Sequence, residues 1–344
     1  MKALVYKGPW QIALENRAIP NLHSKTDVLV RIRATGVCGT DLGIITGEYN
    51  AKVPIVLGHE SAGDVMEVGT EVSHLKPGDR VVIDPTYFCG FCSMCRTGRS
   101  NHCEHKANTE TGVSRDGTFA PYYVTEERFL FKLPEHTSFE AASLTEPLSC
   151  VLTGINQLRV RQDLRTLVLG AGPIGVLYSF GLALQGIVGG IVEVSEARRK
   201  QCEEVVNSHW KLFGSLADAQ KALSPVEGKF DLIVDTTGVL AEKSLSLLAR
   251  GGQLLLVGLR DGKATFNPRE ITDKSLSVIG SIDSLGTFST AKHLIDSGLV
   301  PAEKLVTHKL SLDKFDDALM LLGCDVNARH RGNPAAALKV VIQP

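Results

Sequence analysis

The sequence has 344 residues and balanced charge, with 37 Lys and Arg against 38 Asp and Glu and a formal net charge of −1. This balance lacks the net positive charge typical of proteins that bind nucleic acid or acidic membranes, and we expect neither partner. Hydrophobic residues make up 43% and charged residues 22%, as in globular proteins, and the chain is longer than one hydrophobic core usually fills. Two domains are therefore expected.

No segment of the chain looks like a membrane span or a secretory signal. Apolar runs such as 254–257 are the size of strands, far below the roughly 20 residues of a transmembrane helix. Residues 1–7 contain no apolar stretch of the kind that a signal peptide needs. We expect a cytoplasmic protein with reduced cysteines and no membrane partner.

The two halves of the chain differ in pattern. Residues 1–150 contain short β-rich runs, such as 27–33 and 79–83, separated by Gly, Pro and Asp, and predict an irregular β-rich domain. Residues 151–281 alternate apolar strands with helical stretches, which predicts βαβ units and a parallel sheet. Residues 282–344 are mixed, and we expect them to complete the first domain. The predicted strands of the second domain are 166–169, 190–194, 230–235, 253–257 and 276–279.

The β-rich half contains several residues of the types that bind zinc. Cys38 lies in a Gly-rich segment, His59 and Glu60 are adjacent, and Glu146 precedes a proline. A thiolate, an imidazole and one or two carboxylates can hold Zn²⁺ and leave a position for water or a substrate oxygen. Each residue alone is equally compatible with a structural role, such as a small core residue for Cys38. Their occurrence in one domain predicts a catalytic zinc site.

Four cysteines lie within fifteen residues further along the chain. Their spacing, C-x2-C-x2-C-x7-C, is typical of metal ligands, because tight loops direct successive thiolates to one point. Four thiolates complete a tetrahedral Zn²⁺ and leave no position for a substrate, so we predict a structural zinc. A disulfide cluster and an iron–sulfur cluster are the alternatives. The four residues are Cys89, Cys92, Cys95 and Cys103.

A glycine-rich turn follows the predicted strand 166–169 and opens an apolar helix. In the pattern G-x-G-x-x-G, the first glycine permits the turn, the second lets the backbone approach a pyrophosphate, and the third allows close packing of helix against strand. The helix N-terminus then favours phosphate charge. This placement predicts a dinucleotide site, with a turn that serves packing alone as the alternative. The turn comprises Gly170, Ala171, Gly172, Pro173, Ile174 and Gly175.

Glu193 lies near the end of the next predicted strand, 18 residues beyond Gly175. Its carboxylate can accept hydrogen bonds from both adenosine ribose hydroxyls and would repel a 2′-phosphate, which predicts NAD rather than NADP. Arg198 and Arg199 follow closely and leave NADP as an alternative. We also expect Arg198, and Val257 and Gly258 at the end of a later strand, to contact the cofactor.

In this order and spacing the motifs resemble those of the zinc-dependent medium-chain dehydrogenases, over essentially the whole chain. The segment Glu146-Pro147-Leu148-Ser149 is most similar to the sorbitol (polyol) dehydrogenase branch. The resemblance implies an α/β fold, with a Rossmann doubly wound parallel sheet beside an irregular GroES-like catalytic domain. It also implies two zinc ions per chain, NAD and a homo-oligomer, either tetramer or dimer. The segments that carry it are 36–41, 58–60, 89–103, 146–147 and 170–175.

The resemblance implies that Cys38, His59 and a carboxylate hold the catalytic zinc. Glu146 is favoured as that carboxylate, and Glu60 is a ligand or an exchange partner. Thr40 resembles the hydroxyl that accepts the proton of the substrate alcohol, with a simple turn residue as the alternative.

The substrate residues implied by the resemblance are Tyr49 and Phe119. Asp283 lies where polyol dehydrogenases tend to carry an Arg; in the pocket it would accept hydrogen bonds from polyol hydroxyls and repel an anionic substrate. A solvated loop acid or a helix cap is the alternative for Asp283. Position 43 is Gly43 where the family often carries a relay histidine, and the tail 323–332 is longer than the usual ending.

The implied reaction is oxidation of a secondary hydroxyl of a polyol to a ketose, with zinc as Lewis acid and NAD as hydride acceptor. A dehydrogenase of another secondary alcohol, such as a diol, a threonine-like compound or a sugar phosphate, is the first alternative. A regulatory protein that binds NAD without turnover is the alternative from another class. The complete set of zinc ligands argues against it.

Overall fold

The computed structural model describes residues 1–260, 262–332 and 337–344 and divides into two compact units. The first unit contains Met1–Ser149 and Ser284–Pro344, and the second contains Cys150–Asp283. The chain therefore leaves the first unit, forms the second and returns to complete the first.

The elements in chain order are as follows. The strands are β1 (Lys2–Gly8), β2 (Gln11–Asn16), β3 (Asp27–Gly36), β4 (Ile55–Val56), β5 (Glu60–Val68), β6 (Arg80–Ile83), β7 (Tyr122–Glu126), β8 (Leu130–Lys132), β9 (Thr166–Leu169), β10 (Gly189–Val192), β11 (Lys211–Phe213), β12 (Phe230–Asp235), β13 (Leu248–Leu256), β14 (Ser277–Gly280), β15 (Val306–Ser311), β16 (Cys324–Asp325), β17 (His330–Arg331) and β18 (Lys339–Gln343). The α-helices are α1 (Gly39–Thr46), α2 (Ser93–Arg96), α3 (Phe139–Ala142), α4 (Thr145–Asn156), α5 (Pro173–Ala183), α6 (Glu196–Cys202), α7 (Leu216–Leu223), α8 (Ala241–Leu247), α9 (Pro268–Asp273), α10 (Phe288–Asp296), α11 (Ala302–Leu305) and α12 (Phe315–Leu321). Short 3-10 turns span Ser100–His102, Lys106–Asn108, Glu127–Phe129 and Leu312–Lys314.

The first unit is built on a seven-stranded sheet in the order β15-β18-β3-β5-β6-β8, with β7 also paired to β3. Apolar side chains alternate along β3, so that Val28, Val30 and Ile32 are buried in a core beneath the sheet. The C-terminal strand β18 pairs antiparallel with β3 at Gly36, and β3 pairs with β5 at Glu60. Three segments that are far apart in the sequence therefore meet at one point of this sheet.

The second unit contains a six-stranded sheet in the order β11-β10-β9-β12-β13-β14, and every pairing in it is parallel. The central strand β9 is buried along its whole length, as expected for a sheet covered on both faces. Strand order reverses between β9 and β12, which is the position where open α/β sheets bind their ligands. The predicted Rossmann sheet is confirmed, although β11 was not predicted and β13 begins at Leu248, before the predicted start at 253.

None of the helices in the described part of the chain combines the length and the apolar character that a membrane span requires.

Candidate active site

The structure brings Cys38, His59 and Glu60 together in the first unit. One ligand atom from each lies within 4.8 Å of the other two. Cys38 is half-buried, whereas His59 and Glu60 are buried. A soft thiolate, an imidazole and a carboxylate at this separation form a donor set that suits Zn²⁺ with an open fourth position.

Local structure explains why these three residues meet. Cys38 immediately precedes α1 and is its N-cap residue. Glu60 begins β5 opposite Gly36 of β3, so the loop containing His59 lies beside the end of β3. The sheet register, rather than sequence proximity, brings Cys38 to the histidine and the glutamate.

Asp41 is a buried carboxylate that organises this cluster. Its Oδ2 accepts a hydrogen bond from the Cys38 backbone N–H at 2.8 Å, and its Oδ1 accepts one from Gly58 N–H at 3.3 Å. The same Oδ1 lies 3.7 Å from Nδ1 of His59. A carboxylate facing one ring nitrogen fixes the tautomer and leaves the other nitrogen to bind metal.

The surroundings of His59 favour a positive charge. Burial lowers the pKa of His59, but the neighbouring Asp41 and Cys38 outweigh burial and raise that pKa well above its ordinary value. Nδ1 of His59 also has no hydrogen-bond partner among the described residues. The raised pKa fits a metal cation bound by this cluster, since zinc would supply the positive charge while His59 stays neutral.

Lys339 is a buried cation beside the ligands. Its side chain is 3% exposed, its Nζ contacts Oε2 of Glu60, and it donates to the Val37 carbonyl at 3.1 Å. Burial lowers the pKa of Lys339, but Glu60 and Cys38 outweigh burial and raise it. A Cβ at Gly36 would overlap the Glu60 carboxylate and lie 2.8 Å from Cε of Lys339. Glycine at position 36 therefore leaves room for the ion pair.

Glu146 occupies a different place from the one expected. It lies in the first turn of α4, and it is not part of the three-residue cluster. Its charge still acts on His59 and on Lys339. The preference for Glu146 over Glu60 as the ligand is therefore corrected, because the sheet register places Glu60, and not the helical Glu146, with the thiolate and the imidazole.

Thr40 lies next to the cluster, since its Oγ1 is 3.6 Å from Sγ of Cys38. Tyr49 is half-buried, and its backbone N–H donates to the carbonyl of Gly43 at 2.9 Å. Phe119 is completely buried and packs edge-to-face on Phe315, with ring centroids 4.9 Å apart. The expectation that Phe119 faces the substrate is corrected: it is a core residue.

The four-cysteine lobe forms a second metal-binding cluster. Sγ of Cys89 lies 3.9 Å from that of Cys95, and Sγ of Cys92 lies 4.0 Å from that of Cys103. Ligands at the usual Zn–S distance in a tetrahedral site are about 3.8 Å apart, whereas a disulfide requires about 2.05 Å. Hydrogen bonds from the backbone N–H groups of Cys95 and Glu104 lower the pKa of the Cys92 thiol to about 6, whereas burial raises the pKa of the Cys95 thiol to about 12. A bound metal ion would displace the proton of Cys95.

The glycine-rich turn of the second unit lies between β9 and α5. Gly170 adopts a left-handed backbone with φ 95°, and a Cβ at Gly175 would overlap the carbonyl oxygen of Gly170. A Cβ at Gly172 would meet nothing within 4 Å, so this position is open to a ligand. Pro173 is the first residue of α5 and Ile174 follows it. These features fit a pyrophosphate at the helix N-terminus.

Glu193 lies one residue beyond β10 and is 7% exposed. Its carboxylate accepts hydrogen bonds from Ala171 N–H at 3.1 Å and Ser195 N–H at 2.9 Å, and Nη1 of Arg198 lies 3.5 Å away. Arg199 instead donates to the carbonyls of Glu193 and Val194. Arg199 is therefore engaged with the backbone, while Glu193 stands beside the turn where a ribose would lie.

The remaining candidates lie in the second unit. Backbone N–H groups of Val257 and Gly258 both donate to the carbonyl of Asp235, and a Cβ at Gly258 would collide with Gly238. Asp283 is half-buried with a left-handed backbone, φ 58°. It does not cap α10, whose N-cap residue is Thr287.

Two family models match the chain. One, described as an alcohol dehydrogenase GroES-like domain, covers residues 24–135, and the other, a zinc-binding dehydrogenase model, covers residues 174–297. Sorbitol dehydrogenase 1 of Saccharomyces cerevisiae is 33% identical over 347 residues, which is 96% of this chain and 95% of that protein. The chain belongs to the zinc-dependent medium-chain dehydrogenase family.

Further comparisons agree with this assignment. D-arabinitol dehydrogenase 1 of Uromyces fabae is 30% identical to this dehydrogenase over 328 residues, 93% of each protein. A zinc-binding dehydrogenase from Sinorhizobium meliloti 1021, solved with NADP, has a TM-score of 0.88 and 28% identity and covers 100% of this chain and 99% of its own. The predictions of family, polyol branch, fold class, oxidoreductase activity, and zinc and NAD as cofactors are confirmed.

The sequence patterns did not predict Asp41, Lys339 or the role of Gly36. The role of Asp41 could have been predicted, because a carboxylate three residues after Cys38 can accept a hydrogen bond from the backbone N–H of Cys38 at the start of a helix. The role of Lys339 could not, because only the pairing of β18 with β3 brings it to Glu60.

Proposed function

We propose that this dehydrogenase oxidises a secondary hydroxyl of an uncharged polyol to the corresponding ketose, with NAD as the hydride acceptor. The observation that carries the proposal is the cluster of Cys38, His59 and Glu60, which brings three donor groups within 4.8 Å of one another. When bound, zinc supplies a Lewis acid that lowers the pKa of a hydroxyl, and NAD supplies the acceptor. The names of the sorbitol and arabinitol relatives support a polyol as the substrate.

We assign a role to each residue of the cluster. Cys38, His59 and Glu60 hold the metal, and Asp41 fixes the imidazole. The hydroxyl of Thr40, beside the thiolate, takes the proton of the substrate alcohol. Glu146 lies in the first turn of α4, and its charge interacts with His59. We assign to it the role of orienting a hydroxyl or a water molecule at the open position of the zinc.

The experiment that tests this function is a screen for NAD reduction. Sugar alcohols, diols, threonine and sugar phosphates are offered to the zinc-loaded enzyme, and kcat/KM is measured for each. We expect a free pentitol or hexitol to give the highest value. A sugar phosphate or a diol turned over far faster than every free sugar alcohol would contradict the proposed substrate class.

We expect Asp283 to contribute to the choice of an uncharged substrate. Asp283→Arg should lower kcat/KM for the best sugar alcohol by about tenfold, because an acceptor of hydroxyl hydrogen bonds is replaced by a cation. Asp283→Asn is the matched control, since it keeps one acceptor oxygen and should lose less. The dissociation constant for NAD, measured by fluorescence titration, should change little in either variant. Unchanged kcat/KM in Asp283→Arg would remove Asp283 from the substrate site.

We expect NAD to be preferred over NADP by at least about tenfold in kcat/KM, or roughly 1.4 kcal/mol, because Glu193 accepts from the ribose hydroxyls and repels a 2′-phosphate. Glu193→Ala should reduce this preference chiefly by lowering kcat/KM for NAD. Arg198→Met is the matched control, because it removes the neighbouring cation and leaves the carboxylate. A wild-type enzyme that favours NADP would show that Arg198, rather than Glu193, sets the choice.

We also propose a cytoplasmic homo-oligomer, a tetramer or a dimer. The edge strand β14 supports association, because Val278 on it is 37% exposed and its outer edge pairs with no strand in the described part of the chain. The molar mass in solution, measured by light scattering, decides between these states and a monomer.

A further inference from the structure

Residues 323–332 form a small hairpin near the end of the first unit, hereafter the tail hairpin. Its two strands, β16 and β17, pair Cys324 with Arg331, and the N–H of Gly332 donates to the carbonyl of Gly323 at 2.7 Å. Cys324 is completely buried, and Val326 packs against the same core cluster as Tyr49. The hairpin is therefore anchored in the core rather than extending freely from it.

An ion pair joins the tail hairpin to the loop 47–52, hereafter the Tyr49 loop. Nη1 of Arg331 lies 2.6 Å from Oε2 of Glu48, although the two residues are 283 positions apart in sequence. The Arg331 side chain is only 16% exposed. The Glu48 side chain is 42% exposed, so water screens this pair less than one in which both partners are exposed, but more than a buried pair.

The Tyr49 loop is held from its other side by α1. The Tyr49 N–H donates to the carbonyl of Gly43 at 2.9 Å, and a Cβ at Gly43 would lie 3.3 Å from Cβ of Tyr49. Because α1 begins directly after Cys38, Tyr49 packs on the same short helix that follows the zinc ligand. The position of Tyr49 thus depends on α1 on one side and on the residue next to it, Glu48, on the other.

We propose that the tail hairpin is a specificity-determining element: through the ion pair between Arg331 and Glu48 it fixes the Tyr49 loop and so positions Tyr49 against the substrate. Arg331 is a positioning residue in this scheme, because it acts through Glu48 and Tyr49. The proposal rests on the proposed function and on the role of Tyr49 as a substrate residue, which the family resemblance implies.

The test replaces Arg331 by Met, which keeps the length of the side chain and removes its charge. We expect KM for the best polyol to rise about fivefold or more while kcat stays within about twofold, because uniform binding is lost and the zinc site is untouched. NAD affinity should not change. Amide hydrogen exchange in residues 47–52 should become faster, since the loop loses its ion pair with the tail hairpin.

Two further variants decide whether the effect passes through Tyr49. Arg329→Gln removes a charge from an exposed position of the same hairpin and should leave KM and exchange at their wild-type values. In a Tyr49→Ala background, Arg331→Met should raise KM no further, because residues that act through one contact are not additive. A full, additive rise in that background would overturn the proposal, as would a lower melting temperature with unchanged KM.

Failure of the proposed function is distinguishable from failure of this inference. If wild-type enzyme oxidises no polyol, the proposed substrate class is wrong, yet the exchange measurement still tests the restraint on the Tyr49 loop. Unchanged exchange at 47–52 in Arg331→Met then overturns the role of the hairpin, and faster exchange supports it.

Discussion

Replacing Cys89 by Ser should destabilise the protein severely and remove one zinc per chain. The four thiolates of the cysteine lobe lie at distances that suit a tetrahedral ion, and the lobe around them has only the four-residue α2 and short 3-10 turns. In such a segment metal binding supplies most of the free energy of folding. The free energy of zinc binding to isolated zinc-finger peptides is about 10–16 kcal/mol. Differential scanning calorimetry and elemental analysis measure the two effects.

Cys38→Ser is the matched variant, because it removes a thiolate from the other cluster. That cluster lies at the end of a seven-stranded sheet with its own apolar core, so the fold should persist while turnover falls by about a thousandfold or more. Zinc content should again drop from two ions to one. The division between a structural and a catalytic zinc is wrong if both variants lose their fold equally, or if Cys38→Ser keeps its activity.

The sequence predicted those parts of the molecule whose chemistry is local. Cys89, Cys92 and Cys95 are separated by two residues each, and this spacing in the sequence by itself determines the loop that brings the three thiolates together. The dinucleotide-binding turn Gly170–Gly175 could be predicted for the same reason, because the strand before it and the helix after it are adjacent in the sequence. The strand 166–169 was predicted at the bounds it has in the structure.

The errors concern choices that only tertiary contacts make. Whether Glu60 or Glu146 meets Cys38 depends on the register of β3 against β5, and the sequence carries no signal for that register. Phe119 was expected at the substrate because of the family resemblance, yet it fills the core against Phe315. Composition cannot distinguish an aromatic side chain that lines a pocket from one that supports the wall behind it.

Lys339→Met should have the largest effect of any change outside the ligands themselves. The substitution leaves the buried carboxylate of Glu60 without its cation, close to the Cys38 thiolate and the charge of Glu146. Removal of one partner of a buried ion pair costs about 3–5 kcal/mol, because the remaining charge stays desolvated. In protein from which only the catalytic zinc has been removed, the free energy of unfolding should fall by about that amount.

Zinc should largely reverse this loss. An ion bound at the cluster supplies the positive charge that Lys339 no longer provides, so the melting temperature of the variant should rise more on zinc binding than that of the wild type. Release of zinc to a chelator should also be slower in Lys339→Met, since Lys339 competes with the metal for the Glu60 carboxylate. Lys339→Arg is the matched control, because it keeps a buried cation at this position and should behave more like the wild type. If the wild type and Lys339→Met, both without catalytic zinc, have the same free energy of unfolding, Lys339 does not compensate the buried charge of Glu60.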